Sequence, residues 1–254
     1  YFGYSVSISG DYALVGAYGD DDGGSQSGSA YTFVRSGTSW SQHAKLRASD
    51  AANNDYFGKT VSISGDYAVV SAHEDDDGVA SSGSAYVFKI VALQNAKLVA
   101  GDAAASDQFG SSVSISGDYA VVGAYQDDDG GTNSGSAYTF VRDGTSWSQQ
   151  AKLVASDAAA NDYFGTSVSI SGDYALVGAW GDDEAGQKSG SAYTFVRDGT
   201  SWSQQAKLVA GDAASADYFG YSVSISGDYA LVGAYADDDG GSNSGSAYIF
   251  IRDG

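Results

Sequence analysis

Cysteine, proline and methionine are all absent from the 254 residues, and lysine and arginine together number only 12 against 32 acids. Without cysteine there is neither a disulfide framework nor a thiolate metal site, and cysteine usage says nothing about the redox compartment. Without methionine the sequence does not carry its own initiator, which fits a leader or anchor removed or left out. The formal net charge of −20 disfavours nucleic acid and favours cations or basic partners. It also opposes edge-to-edge pairing of similar β units. No apolar run approaches the roughly 20 residues of a membrane-spanning helix, so no membrane insertion is expected.

What the chain does contain is repetition. Val-Ser-Ile-Ser-Gly-Asp-Tyr-Ala occurs five times unchanged, beginning at Val6, Val61, Val113, Val168 and Val223. A Phe-Gly pair precedes each copy, and its glycines, Gly3, Gly58, Gly110, Gly165 and Gly220, are 55, 52, 55 and 55 residues apart. The chain therefore divides as one repeat domain, 1–254, with repeats 1–55, 56–107, 108–162, 163–217 and 218–254. Periods of this length belong to propellers, solenoids and arrays, whose units bury apolar faces against their neighbours. With 43% apolar residues, 13% aromatic and 35 glycines, the composition is that of a folded all-β protein rich in turns.

One repeat reads as four strands. Ser5 to Ser9 alternates small polar and β-branched residues, the period of a half-buried strand, and Gly10-Asp11 is a hairpin turn. Tyr12 to Ala17 is an apolar run without alternation, predicted to be buried on both faces, with Gly16 and Ala17 permitting close packing. A polar loop carrying Asp20-Asp21-Asp22 leads to a third strand, Ser29 to Arg35. A second turn, Ser36 to Ser39, leads to a fourth strand, Trp40 to Arg47. The second repeat lacks three residues in this outer hairpin, and the fifth stops after its third strand, leaving an open edge. The predicted fold class is all-β, a β-propeller of five four-stranded antiparallel blades with the last blade lacking its outer strand. A linear β-solenoid is the alternative, though its usual coil is shorter.

Phe2-Gly3 followed by Gly16-Ala17, with the aromatic strand Ala30-Tyr31-Thr32-Phe33, resembles the FG-GAP repeat. That repeat is best known from the seven-bladed propeller of integrin alpha subunits and is common in bacterial surface proteins. The resemblance runs through the whole chain and implies an extracellular propeller used for adhesion or ligand binding. There are two departures. Tyr18, His73, Tyr125, Trp180 and Tyr235 stand where the family has proline. The family's Asp-x-Asp-x-Asp-Gly calcium loop between the first two strands is replaced by the turn Gly10-Asp11 and its copies, so those ligands do not carry over.

Sorting acids by loop places 24 of the 32 on one face of the blades, and all of them are read as loop residues. A divalent cation would offset such crowding. Ca²⁺, which accepts six to eight oxygens in irregular geometry, suits it better than Mg²⁺. The candidate ligands, one set per blade, are Asp20 and Asp22, Asp75 and Asp77, Asp127 and Asp129, Asp182 and Glu184, and Asp237 and Asp239, with Asp50 or Asp55 joining them. The competing reading is a solvated anionic face. The Asp of each Gly-Asp hairpin is taken as a turn residue only.

Among function classes an enzyme has least support, since His43 and His73 occupy non-equivalent places and read as surface drift. Tyr18, Tyr125, Trp180 and Tyr235 beside the acidic loops are candidate ligand-binding rings for a multivalent lectin, or else core-covering rings. Trp40, Trp147 and Trp202 sit on the outermost strand, either as lateral contacts or packed within their own blade. The open edge of the fifth repeat allows a filament subunit closed by strand donation. The reading taken forward is an extracellular, non-enzymatic propeller in cell-surface adhesion or assembly. Its expected partners are a cell-surface protein or glycan, with self-association open.

Overall fold

The computed structural model describes residues 1–77, 79–90 and 93–252. Among them are nineteen strands and no helix, arranged as four four-stranded antiparallel sheets and one three-stranded sheet. The fold class is all-β, with five propeller blades. By contact the chain forms two compact units, Tyr1–Ala120 with Phe140–Gln149, and Val121–Thr139 with Gln150–Gly254.

In the first unit, β1 (Val6–Ser9), β2 (Tyr12–Ala17), β3 (Ser29–Ser36) and β4 (Ser39–Leu46) form one sheet in chain order. The next is β5 (Val61–Ser64), β6 (Tyr67–Ala72), β7 (Ser84–Lys89) and β8 (Leu93–Leu98). The third sheet consists of β9 (Val113–Ser116), β10 (Tyr119–Ala124), β11 (Ser136–Asp143) and β12 (Ser146–Leu153). In the second unit lie β13 (Ser167–Ser171), β14 (Tyr174–Ala179), β15 (Ser191–Asp198) and β16 (Ser201–Leu208). The last sheet has β17 (Phe219–Ser226), β18 (Tyr229–Ala234) and β19 (Ser246–Ile251). Strand alternation and two-residue turns thus produced the expected hairpins.

Two expectations need correction, and one falls outside the described residues. Asp143 and Asp198 end strands β11 and β15 instead of lying in loops, because the outer hairpin is paired to its last residue before the turn. Asp253 lies outside the described residues. The second strand of the repeat is buried on both faces in the second to fourth sheets, but β18 alternates between exposed and buried because only one side of the fifth sheet is covered.

Two short motifs make the joint between consecutive sheets. Phe57 is fully buried and meets Tyr86 and Phe88 edge-on, with ring centroids 5.5 and 5.8 Å away. Burial of such a ring contributes about 2–3 kcal/mol. Its N–H donates to Ser27 O of the preceding repeat at 3.0 Å. Next to it, the Gly58 carbonyl lies where a side chain on Gly16 would stand, 2.0 Å from a Cβ built there. In the second unit the Gly220 carbonyl lies 1.9 Å from a Cβ built on Gly178. The Phe-Gly pair of one repeat therefore seats on the Gly-Ala pair of the one before it, except in the second repeat, where a buried Ser71 takes the place of the first glycine beside Gly110.

Candidate functional site

Each loop between the second and third strands is folded by its own acids. Asp20 Oδ1 accepts the Asp22 N–H at 3.1 Å, and Asp21 Oδ1 accepts the Gln26 N–H at 2.7 Å. The middle Asp of every triplet repeats this role, with Asp76, Asp128, Asp183 and Asp238 accepting from Ser81, Asn133, Lys188 and Asn243. The first Asp faces inward and is buried at Asp75, Asp127, Asp182 and Asp237. The third member reaches outward.

The inward Asp is not alone. Tyr86 Oη lies 2.6 Å from Asp75 and 2.8 Å from Asp50, and Lys97 Nζ bonds Asp50 at 2.7 Å and Asp75 at 3.1 Å while also pairing with Asp77. Asp50, Asp75 and Asp77 each place a carboxylate oxygen within 4.8 Å of the others, close enough for one ion to be ligated by all three. In this arrangement their cation is the Lys97 ammonium.

The same cluster recurs in the fourth repeat, where Lys207 Nζ bonds Asp157 at 2.7 Å and Asp182 at 2.9 Å and pairs with Glu184. Tyr193 Oη lies 2.9 Å from Asp182 and 3.0 Å from Asp157. Lys45 joins Asp20 and Asp22, and Lys152 joins Asp127 and Asp129. The fifth repeat departs from this. Tyr248 donates to Asp237 at 2.7 Å and Asp212 at 2.8 Å, and no lysine occurs in the chain after Lys207.

The electrostatics follow the lysine. Burial opposes the charge on Lys207, but hydrogen bonds to Asp157, Glu184 and Asp182 outweigh it and hold the ammonium above its ordinary range. Burial also works against the Asp157 carboxylate, and bonds from Lys207 and Tyr193 overcome it, so that acid is held low. Burial, with Asp182 and Asp157 nearby, pushes Asp162 up to about 6 despite a bond from the Ala159 N–H. In the fifth repeat Asp237 and Asp212 push Asp239 upward.

All the sequence-predicted pairs except Asp237 and Asp239 are bridged by a lysine, and the expected partner Asp50 joins the loop of the following repeat, not that of its own. Asp55 instead folds its own loop by accepting the Ala52 N–H at 2.6 Å. The lysines and tyrosines of the clusters were missed. A signal existed: Lys45, Lys152 and Lys207 each follow the first loop Asp by 25 residues.

On the opposite edge of the blades the hairpin acids, read as turn residues only, also have partners. Asp11 accepts from Arg35 at 2.6 Å, and Asp118, Asp173 and Asp228 pair with Arg142, Arg197 and Arg252.

The candidate rings form rows. In the second unit Tyr125 meets Tyr163 at 6.1 Å, Tyr163 stacks on Trp180 at 4.5 Å, Trp180 meets Tyr218 at 5.4 Å, and Tyr218 stacks on Tyr235 at 5.1 Å. In the first unit Tyr18 stacks on Tyr1 at 4.9 Å and meets Tyr56 at 6.0 Å, with Lys59 Nζ 4.5 Å above its ring. Tyr56, Tyr163 and Tyr218 hold left-handed φ angles of 55°, 55° and 56°, which bulky residues seldom adopt, and two of them, Tyr163 and Tyr218, are stacked on neighbouring rings.

His73 belongs to the row of the first unit, 5.8 Å from Tyr56, so its reading as surface drift is wrong. Burial and the Lys59 charge lower it to about 4, and the Glu74 carboxylate 3.8 Å away does not reverse that. The strand tryptophans look to neighbours: Trp147 meets Tyr67 at 6.3 Å, and Trp202 donates to Gln150 at 2.7 Å.

Residues 1–33, 40–88, 93–140, 147–195 and 202–250 match the FG-GAP repeat. The chain belongs to the FG-GAP repeat family. Four of the matches, 40–88, 93–140, 147–195 and 202–250, run from the outer strand of one FG-GAP blade through the third strand of the next, so the family unit spans the Phe-Gly joint. No curated relative matches the chain. Among the described residues no helix of this FG-GAP protein is long and apolar enough to cross a membrane.

Proposed function

We propose that this FG-GAP chain is a non-enzymatic propeller of the cell exterior that works in adhesion or assembly, with a cell-surface protein or glycan as partner. The observation carrying this reading is the recurrence of one carboxylate–tyrosine–lysine cluster along the same edge of successive blades. Carboxylates tied to an ammonium are poor proton carriers, whereas equal surfaces repeated along a chain favour multivalent contact. The test is retention of the chain on surface extracts and intact cells with and without calcium. Saturable retention supports the proposal, and hydrolytic turnover of bound glycan or peptide with no retention would end it.

Calcium belongs to this reading as a ligand of the acidic clusters. Asp237 and Asp239, with Asp212, are one candidate set, and among the described residues no ammonium is bonded to them. Asp50, Asp75 and Asp77 would take it only by displacing Lys97. A lectin reading is favoured by the row from Tyr125 to Tyr235, where the terminal ring is 55% exposed. A glycan array and quenching of Trp180 fluorescence by bound sugar test it.

A further inference from the structure

Within the first unit the second sheet meets residues of the third through Ser71 and Asn95, and at both places it differs from its counterparts. Ser71 stands where the other repeats have Gly16, Gly123, Gly178 and Gly233. A Cβ at Gly16 would meet the Gly58 carbonyl at 2.0 Å; Ser71 carries one, so the chain at Gly110 stands further back. The Thr60 hydroxyl fills the wider joint, bonding Ser71 Oγ at 2.9 Å and the Gly110 carbonyl at 3.2 Å.

Asn95 stands where the third and fourth repeats have Gln150 and Gln205. It is the extra residue of a β-bulge between β7 and β8, since Gln94 pairs with Phe88 and Ala96 with Val87. A bulge re-aims the side chain it carries. Trp147 of the third sheet comes to the same edge. Its ring meets Tyr67 at 6.3 Å, and the Arg142 guanidinium lies 4.5 Å above that tyrosine.

The matching pair in the second unit is joined directly, with Trp202 Nε1 donating to Gln150 Oε1 at 2.7 Å. Trp147 follows Asn95 by 52 residues, the same spacing as Trp202 from Gln150. Asparagine is one methylene shorter than glutamine, and here the direct bond is not made. Trp147 Nε1 and Asn95 Oδ1 are both shut off from solvent, and neither has a partner among the described residues.

We infer that Trp147 and Asn95 hold one buried water molecule between the second and third sheets, in place of the direct tryptophan–glutamine bond. The water accepts from the indole N–H and donates to the amide oxygen, so one molecule satisfies two costly buried groups. Chemistry selects this occupant. The indole N–H repels a cation, the amide oxygen repels an anion, and closure of both atoms excludes anything larger. The site is internal to the fold and stands apart from the adhesion reading.

The chain has four tryptophans, so its indole N–H groups are separable by ¹H–¹⁵N NMR. In the parent chain the Trp147 indole proton should show a dipolar cross-peak to water, and the Trp202 proton none. Asn95→Gln should restore the direct bond, abolish that cross-peak and slow exchange of the Trp147 indole proton into D₂O at least about tenfold. Gln150→Asn is the reverse change and should give Trp202 a water cross-peak. A parent chain with no water cross-peak at Trp147 overturns the inference, as does a cross-peak that persists in folded Asn95→Gln. Should Asn95→Gln not fold, the parent spectrum and Gln150→Asn decide, and a Trp202 that gains no water in the folded variant counts against the site.

Discussion

The acidic clusters of the fourth and fifth repeats share a tyrosine bridging two aspartates, and they differ by one ammonium. In the fourth, Asp157 is held below its ordinary range by Lys207 and Tyr193; in the fifth, Asp237 is held low by the Asp239 N–H and Tyr248, while Asp239 is pushed above its own range by Asp237 and Asp212. The difference shows that the acidic edge is not uniformly anionic. Where the outer strand supplies a lysine, the carboxylates form a satisfied ion cluster that contributes to the fold. Among the described residues of the fifth repeat, which stop before an outer strand, no ammonium lies beside the carboxylates, and Asp237 is held by the Asp239 N–H, Tyr248 and Ser246 instead.

Lys207→Met is the sharpest way to break this contrast, because it turns the fourth cluster into a copy of the fifth. Leaving part-buried Asp182 and Asp157 unpaired should cost about 3 kcal/mol, read as a lower urea midpoint, and calcium should restore much of the loss. An unchanged midpoint would mean that the cluster contributes nothing.

Asp162 tests the same field by pH. Burial raises it from 3.8 to about 6 in the folded chain, so folding is favoured by this group fully below about pH 4, and that contribution fades as pH rises through about 6. Asp157, held low by Lys207, runs the other way: its contribution is present above the ordinary carboxylate range and fades as pH falls through its lowered value. Asp162→Asn keeps an acceptor for the Ala159 N–H. It should stabilise the chain at pH 7.5 by about 1 kcal/mol after allowance for solvent screening, with the gain disappearing near pH 4. Melting curves at the two pH values check it.

A smaller effect sharpens the contrast from the other side. Calcium should raise the parent melting temperature by an amount corresponding to about 1 kcal/mol at a few times its dissociation constant. Asp239→Asn should remove that shift and Glu184→Gln should leave it. Equal loss in both would erase the distinction between the two repeats. Smallest of all, Asp11→Ala breaks an exposed pair with Arg35 and should change stability by no more than about 0.5 kcal/mol.

Strands and turns were legible because they depend on neighbours in sequence: alternation in Val6 to Ser9 and the pairs Gly10-Asp11 and Gly37-Thr38 specify hairpins locally. The clusters were half legible. The loop acids announced themselves, but Asp50 meets Asp75 and Asp77 only because consecutive blades lie side by side, a relation that no local pattern encodes. The lysines were hidden by their setting in Ala-Lys-Leu, where the alternation reads as an ordinary outward charge. His73 misled for a similar reason. One histidine replacing an aromatic residue reads as drift until its neighbours Tyr56 and Lys59 are seen.

The joint between Phe57-Gly58 and Gly16-Ala17 is mostly main chain meeting main chain, with a glycine at the closest point. Its dimensions therefore depend little on which side chains decorate either blade. Genes encoding such units can gain or lose whole copies by unequal crossing-over, and every new junction already fits. The near-identity of the five copies is the pattern that recent duplication of this kind would leave.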